Sequence, residues 1–158
     1  MGGLCQELGK IDERIYTDNP IVDSVLRIKS GLAKSEGIEI DTAIRIPKQM
    51  QLERWDIGVL HGNLLDNAIE ACRKAPDGKR FIRLENKYQS GKLLLVITNS
   101  KTMEKNENLT TTKQDSYSHG RGILSVQRVA DKYNGTAGFT DKGEGFEASV
   151  MFYGIEVG

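Results

Sequence analysis

The segment His61-Gly62-Asn63-Leu64-Leu65-Asp66-Asn67-Ala68-Ile69-Glu70-Ala71-Cys72 decides how the rest of this chain is read. Ile57, Leu60, Leu64, Ala68 and Cys72 recur three and four residues apart, which is one face of an α-helix. That helix is expected to run from about residue 51 or 53 to residue 75. Asn63, Asn67, Glu70 and Lys74 make a second, polar stripe at i, i+4, i+7 and i+11. Asparagine is a mediocre helix former, because its side chain competes for backbone hydrogen bonds. Two of them stacked in mid-helix fit a pair of neutral oxygen ligands facing a hard cation or a phosphate. They fit a solvated polar face equally well. A carboxamide oxygen suits Mg²⁺, which takes oxygen donors and few protein groups when a nucleotide supplies the rest.

A second stretch bears on that choice: Ser118-His119-Gly120-Arg121-Gly122-Ile123-Leu124-Ser125-Val126. The glycines open an apolar run at Ile123, Val126, Val129, Ala130 and Tyr133, and Asn134-Gly135 is a helix stop. Glycines just ahead of a helix let backbone N–H groups approach phosphate, and the helix N-terminus favours negative charge. A flexible hinge would give the same letters.

Around these two stretches the chain alternates helices and strands. Asp18-Asn19-Pro20 starts a helix whose apolar positions are Ile21, Val25, Ile28 and Leu32. Ile38, Ile40, Ile44 and Ile46 then make a strand, interrupted near Thr42-Ala43 and stopped at Pro47. After the turn Pro76-Asp77-Gly78, residues 80–88 read as a strand with Ile82, Leu84 and Asn86 on one face. Ser90-Gly91 turns the chain into a strand at 92–98, whose nearly continuous apolar run at 93–97 predicts a central strand covered on both faces, or nearly so. Residues 101–118 are rich in Thr, Asn, Lys and Ser and read as a long structureless loop, of the kind that is usually functional, or as a disordered connector. Residues 136–140 and 145–153 form a closing hairpin. The expected class is α+β: a two-layer α/β sandwich with a mixed sheet and helices on one face.

Composition excludes several classes. At 158 residues the chain is long enough for one domain with a real core. With 22 basic and 22 acidic residues there is no basic stripe for nucleic acid. No apolar run reaches the ~18 residues of a membrane span. Met1-Gly2-Gly3 leads into polar sequence and does not read as a signal peptide. Cys5 and Cys72 stand far apart without partner ligands and read as reduced thiols of a cytoplasmic protein.

Taken in order, these motifs resemble the ATP-binding catalytic domain of sensor histidine kinases, within the superfamily shared with gyrase, a heat-shock chaperone and mismatch-repair ATPases. GNLLDNAIEA resembles the kinase N box, HGRGILSV the second glycine box, and NGTAGFTDKGEGFEASVMF the closing hairpin. The resemblance spans roughly residues 18–153 and is nearest the peptide-sensing quorum kinases, through TDNPIVDSVLRIKSGLAKSEGIEI and VITNS. It implies a Bergerat-type fold over residues 18–158, with 1–17 a linker or short helix from a missing dimerisation domain.

The resemblance also implies roles. Asn67 coordinates Mg²⁺ bridging the ATP phosphates, and Asn63 supports the same metal. Asn99 stands where the family has the aspartate that accepts from the adenine amino group. An asparagine oxygen can accept too, but without the charge, which predicts weaker adenine binding. The glycines of that first box are absent, since the chain reads Asn99-Ser100-Lys101-Thr102. Gly120, Arg121 and Gly122 face the phosphates, and residues 101–118 are the ATP lid. Glu70 replaces a basic residue of many kinases, so Lys74 or Arg73 is expected to supply the phosphate-facing cation. Asp66 is expected to be a surface carboxylate and His61 a packed histidine.

The implied reaction is transfer of the γ-phosphate of Mg·ATP to a histidine on a separate dimerising domain, with a response regulator as indirect partner. The chain carries no phosphoacceptor motif and is expected to be the cytoplasmic part of a longer, membrane-anchored kinase that itself touches neither membrane nor nucleic acid. The alternatives are a serine kinase of the anti-sigma type, and a nucleotide- or protein-binding module without catalysis.

Overall fold

A computed structural model describes residues 14–76, 78–101 and 113–157, with backbone alone at 113–121. Its elements are α1 (Pro20–Ser35), β1 (Glu39–Arg45), α2 (Arg54–Arg73), β2 (Phe81–Gln89), β3 (Lys92–Ser100), α3 (Lys113–Lys132), β4 (Thr136–Asp141) and β5 (Gly145–Phe152). The strands form one five-stranded sheet in the order β1-β2-β3-β5-β4. β1 and β2 are parallel and every other pair is antiparallel, so the sheet is mixed. A parallel pair needs a crossover, and α2 supplies it. The α+β two-layer sandwich is the observed architecture.

One face of the sheet carries the core. Ile82, Leu84, Leu93, Leu95, Ile97, Ala148, Val150 and Phe152 are buried there. Their pairing register, Leu84 with Ile97 with Ala148 and Asn86 with Leu95 with Val150, stacks them in rows across the strands. The opposite face bears Leu94, Val96 and Thr98, which are only half-buried. β3 is the central strand, as expected, but its second face is only half-covered. No described helix lies on that side; Glu85 and Lys87 of β2 and Met151 of β5 stand beside Val96 and Leu94 instead. Long aliphatic stems there give partial cover.

α1 starts as its sequence requires. Asn19 accepts from the Val22 amide, and Pro20 opens the first turn. The helix ends with Gly37 at φ 72 and the Ile38 amide donating back to the Ala33 carbonyl. Its fully buried stripe is Val22, Leu26, Ser30 and Ala33, one position on from the expected Ile21 stripe. Ile21, Val25 and Leu32 pack at the margin, and Ile28 is exposed. The helix is rotated because it meets both the sheet and α2. α1 and α2 run parallel: Ile21 lies over Gly58, Lys29 pairs with Asp66, and Glu36 pairs with Arg73. β1 is continuous through Thr42-Ala43, without the expected interruption, because both residues keep ladder partners on β2. Of the expected N-terminal helix, residues 1–13 lie outside the described residues, and 14–19 are not helical.

α2 is apolar around a wider arc than its periodicity shows. Besides Ile57, Leu60, Leu64, Ala68 and Cys72, it buries His61, Leu65 and Ile69. His61 is packed, as expected. Its Nδ1–H donates to the Ile57 carbonyl at 2.8 Å, and its Nε2 accepts from Asn86 Nδ2 at 2.7 Å. That arrangement requires a neutral ring. Burial pushes the imidazole down to about 4 from its ordinary 6.5, partly opposed by the bond to Ile57.

The unfolded chain takes up this proton before the folded one does. Stability is therefore complete above pH 6.5 and falls as pH approaches 4, by up to roughly 3 kcal/mol from this residue. Urea unfolding at neutral pH and near pH 4.5 checks it. His61→Gln should lose about 2 to 3 kcal/mol less stability between the two conditions than the parent.

Candidate functional site

α2 and α3 lie side by side on the sheet, and the two sequence-predicted motifs meet between them. A Cβ placed on Gly122 would stand 3.1 Å from Asn67 Oδ1 and 3.3 Å from its Nδ2. The Asn67 carboxamide thus lies against bare backbone of α3. Asn63 and Asn67 are both half-exposed, so their carboxamides are accessible. Next to them Leu60, Leu64, Val126 and Ala130 are buried. Asn67 sits at the edge of the apolar arc, where α3 covers one flank and the other is open.

The glycines are not ahead of the helix, as the sequence suggested. The backbone is helical from Lys113, so Gly120, Arg121 and Gly122 lie inside α3. The periodicity from Ile123 to Tyr133 is a core-facing pattern, and the polar residues before it carry no such signal, so the upstream extension was not legible. Glycine in a helix interior costs roughly 0.5–1 kcal/mol each relative to alanine, so this part of α3 is intrinsically weak. The side chains of His119 and Arg121 lie outside the described residues. The expected lid falls at 102–112 outside the described residues, while 113–118 belong to α3.

At the C-terminal end of α2 the helix meets the end of β3. Asn99 is buried on the helix-facing side of the sheet, paired with Ile82 and Phe146, and its Nδ2 donates to the Ser100 carbonyl at 2.9 Å. Ser100 Oγ accepts from the Phe81 amide and touches Cys72 Sγ of α2 at 3.5 Å. The Cys72 thiol is free, and burial pushes its pKa up despite its hydrogen bonds to Ser100 and Phe81. Cys5 lies outside the described residues. The order along α2 is therefore Asn63, Asn67 beside Gly122, then Cys72 beside Ser100 and Asn99. The sequence motifs did not show the Cys72–Ser100 contact, because it joins residues without a local pattern.

The cations divide. Arg73 Nε reaches both Glu36 oxygens, at 2.9 and 3.1 Å, which ties it to α1. Lys74 is the exposed C-cap of α2, two turns beyond Asn67. Asp66 is a surface carboxylate, paired with Lys29 at 2.6 Å.

At its other end α2 is held to α3 by a polar cluster that the sequence reading missed. Tyr133 Oη donates to Asp56 Oδ2 at 2.5 Å and accepts from the Glu53 amide at 3.0 Å. Lys132 Nζ reaches Asp56 at 2.8 Å and Glu53 at 2.9 Å. Burial would raise the Asp56 carboxyl, but the Lys132 and Tyr133 hydrogen bonds and the Lys132 charge hold it below the usual carboxylate range. An open groove of about 820 Å³ lies elsewhere, between the end of α1 and the start of β1 and β2, and none of the predicted site residues line it.

A family model described as the GHKL domain matches residues 52–153. The chain belongs to this family. GHKL domains bind ATP, and this one shares its fold with histidine kinase catalytic domains. The catalytic domain of histidine kinase ThkA, in a nucleotide-free form, superposes with a TM-score of 0.67 at 16% identity, over 86% of this chain and 91% of that one. The Acinetobacter baumannii histidine kinase AdeS gives 0.64 at 15% identity, over 97% and 78%. Full-length ShkA in complex with AMPPNP gives 0.68 at 16% identity; the match covers 92% of this chain but only 32% of that one. No curated protein sequence matches the chain.

The Asn67–Gly122 contact makes a prediction with two opposite signs. A methyl at position 122 needs the carboxamide to give by a few tenths of an ångström. Gly122→Ala should therefore shift the Asn67 side-chain amide signals in an NMR spectrum. The same change should hold or raise the thermal midpoint, because alanine is the better helix former by about 1 kcal/mol.

Proposed function

We propose that this GHKL domain binds Mg·ATP at the edge formed by α2, α3 and the end of β3, and donates the γ-phosphate to a histidine on a separate dimerising domain of a two-component sensor kinase. The observation that carries the reading is the juxtaposition of Asn67 with Gly122. A half-exposed neutral oxygen ligand lies against a helix position without a side chain, so a phosphate-bound metal could approach the carboxamide without meeting a Cβ. Asn63, one turn away on the same stripe, supports the same metal and its waters.

The donor chemistry fits Mg²⁺. Among the described residues, no three His, Cys, Asp or Glu side chains converge as a metal site. Magnesium is commonly bound by one or two protein oxygens, with phosphate oxygens and water filling its octahedron. Bound there, the ion would neutralise charge on the phosphates. Phosphoryl transfer asks the protein chiefly for positioning and electrostatic stabilisation. Asn67 and Asn63 supply the oxygens, Gly120, Arg121 and Gly122 line the phosphate side, and Lys74, the exposed C-cap of α2 on the same stripe, supplies the cation. Asn99 reads adenine with its carboxamide oxygen, since its Nδ2 is engaged by the Ser100 carbonyl. The implied partners are a dimerisation and phosphoacceptor domain and, through it, a response regulator. The intact protein is a membrane-anchored sensor near the quorum-kinase branch, with this part, residues 18–158, in the cytoplasm.

Asn99 also favours one competing reading. A box without its aspartate and glycines suits a module that has lost catalysis. Calorimetric titration with Mg·ATP decides: no heat at millimolar nucleotide overturns the kinase reading. A bound nucleotide with no transfer to a histidine domain, but transfer to a serine on a partner, would favour the anti-sigma alternative.

Two substitutions sharpen the test. Asn67→Ala should lower Mg²⁺-dependent nucleotide affinity at least about tenfold, close to 1.4 kcal/mol, with a thermal midpoint within about 2 °C of the parent. Intact binding with a large loss of stability would make the residue structural. Asn99→Asp should tighten ATP binding and leave GTP unaffected; an equal response from both would remove Asn99 from the base.

A further inference from the structure

Two contacts between α2 and α3 stand in one register. Asp56 meets Tyr133 at one end, and Asn67 meets Gly122 at the other. Asp56 and Asn67 are eleven residues apart, and so are Gly122 and Tyr133. Eleven residues are about three turns, roughly 16 Å, and return to nearly the same helix face. The helices are therefore antiparallel, with one end of the contact polar and directional. The other end is where the nucleotide ligand atom sits.

Between the two ends the packing is apolar: Leu60, Leu64, Val126 and Val129 are buried. Apolar contact sets the distance between helices but is non-directional, so it resists axial sliding poorly. Gly122 has no side chain with which to interlock. Tyr133, by contrast, is tied to two other elements. Its hydroxyl joins Asp56 and the Glu53 amide at the start of α2, and its ring meets Phe152 of β5 edge-on at 5.9 Å. It also stands where α3 stops, since Asn134 at φ 56 and the Gly135 amide, donating to the Ala130 carbonyl at 2.7 Å, close the helix. A Cβ on Gly135 would lie 2.5 Å from the Met151 carbonyl, so the stop packs directly on the backbone of β5.

We propose that Tyr133, acting with Asp56, is a positioning residue that sets the register of α3 on α2 and so holds Gly122 against the Asn67 carboxamide. This rests on the reading of Asn67 as the magnesium ligand for its consequence in binding, but not for the register itself. Lys132 is secondary: its side chain is half-exposed, and a pair of that kind contributes little. Asp56 is buried, so losing the directional bond to it matters more.

The test uses the whole chain, with Tyr133→Phe as main variant and Tyr88→Phe as control. Tyr88 also donates its hydroxyl to a carbonyl, that of Ile155 at 2.7 Å, on the sheet and away from the α2–α3 contact. Two quantities are read: the Gly122 amide and Asn67 side-chain amide signals without nucleotide, and the calorimetric affinity for Mg·ADP. Tyr133→Phe should move both signals and weaken Mg·ADP threefold to tenfold. Tyr88→Phe should leave signals and affinity unchanged even where its thermal midpoint falls as far. Asp56→Asn should move the same signals in the same direction but less, since an amide oxygen still accepts from Tyr133; it carries the test if Tyr133→Phe does not fold. Unmoved Gly122 and Asn67 signals in the variants that fold, or equal movement in Tyr88→Phe, overturn the proposal. Moved signals with unchanged Mg·ADP affinity leave the register role standing and overturn instead the ligand role of Asn67.

Discussion

The structure depends on how much of α2 has to be buried. This helix is the crossover between two parallel strands, so the sheet lies beneath it, with α1 on one side and α3 on the other. Three neighbours require apolar cover over about half its circumference. Leu60, Leu64, Leu65, Ala68, Ile69 and Cys72 provide it, each nearly inaccessible. On the other half Asp66 and Arg73 pair with α1, while Asn63, Asn67 and Glu70 make a half-exposed polar stripe. A polar site placed on such a helix is held by a fully packed scaffold and faces solvent along a single line.

The neighbours of α2 are attached by different physics. α1 is attached along its length, by Ile21 over Gly58, the Lys29–Asp66 pair and the Glu36–Arg73 pair. Those ion pairs are partly exposed and fix orientation more than energy. α3 is attached by an apolar middle and by the hydroxyl–carboxylate bond between Tyr133 and Asp56. Beyond Gly122 its backbone continues as a helix that contains two glycines within three residues and is preceded by polar sequence. α3 therefore has a firmly anchored C-terminal half and an intrinsically weak N-terminal half. The change occurs beside Asn67, so in the proposed site the backbone next to a phosphate group could adjust.

The end of β3 is the departure from the usual pattern with the most chemical weight. Asn99 and Ser100 are buried, and Ser100 Oγ satisfies the Phe81 amide while Cys72 packs against it. The side chains at the end of β3 thus form a neutral, hydrogen-bonded wall. Such a wall can orient a purine by hydrogen bonds, but it lacks the charge that strengthens a carboxylate acceptor.

The sequence by itself determined the elements and their chemistry. Periodicity located α2, the proline and asparagine before α1 marked its start, Asn134-Gly135 marked the end of α3, and the alternation in β2 placed Ile82, Leu84 and Asn86 on one face. These are local properties: side-chain spacing, capping and turn geometry act within a few residues. The pairing of motifs was legible as a resemblance, because the order of NxxxN and the glycines is written along the chain. Tertiary structure decided the rest. It rotated the buried stripe of α1, left β3 half-covered on one face, kept β1 continuous, carried α3 back to Lys113, tied Arg73 to Glu36, and brought Tyr133 to Asp56. Each depends on residues distant in sequence, whose contact is set by how whole elements pack. A hydroxyl and a carboxylate 77 positions apart leave no periodic trace in the sequence.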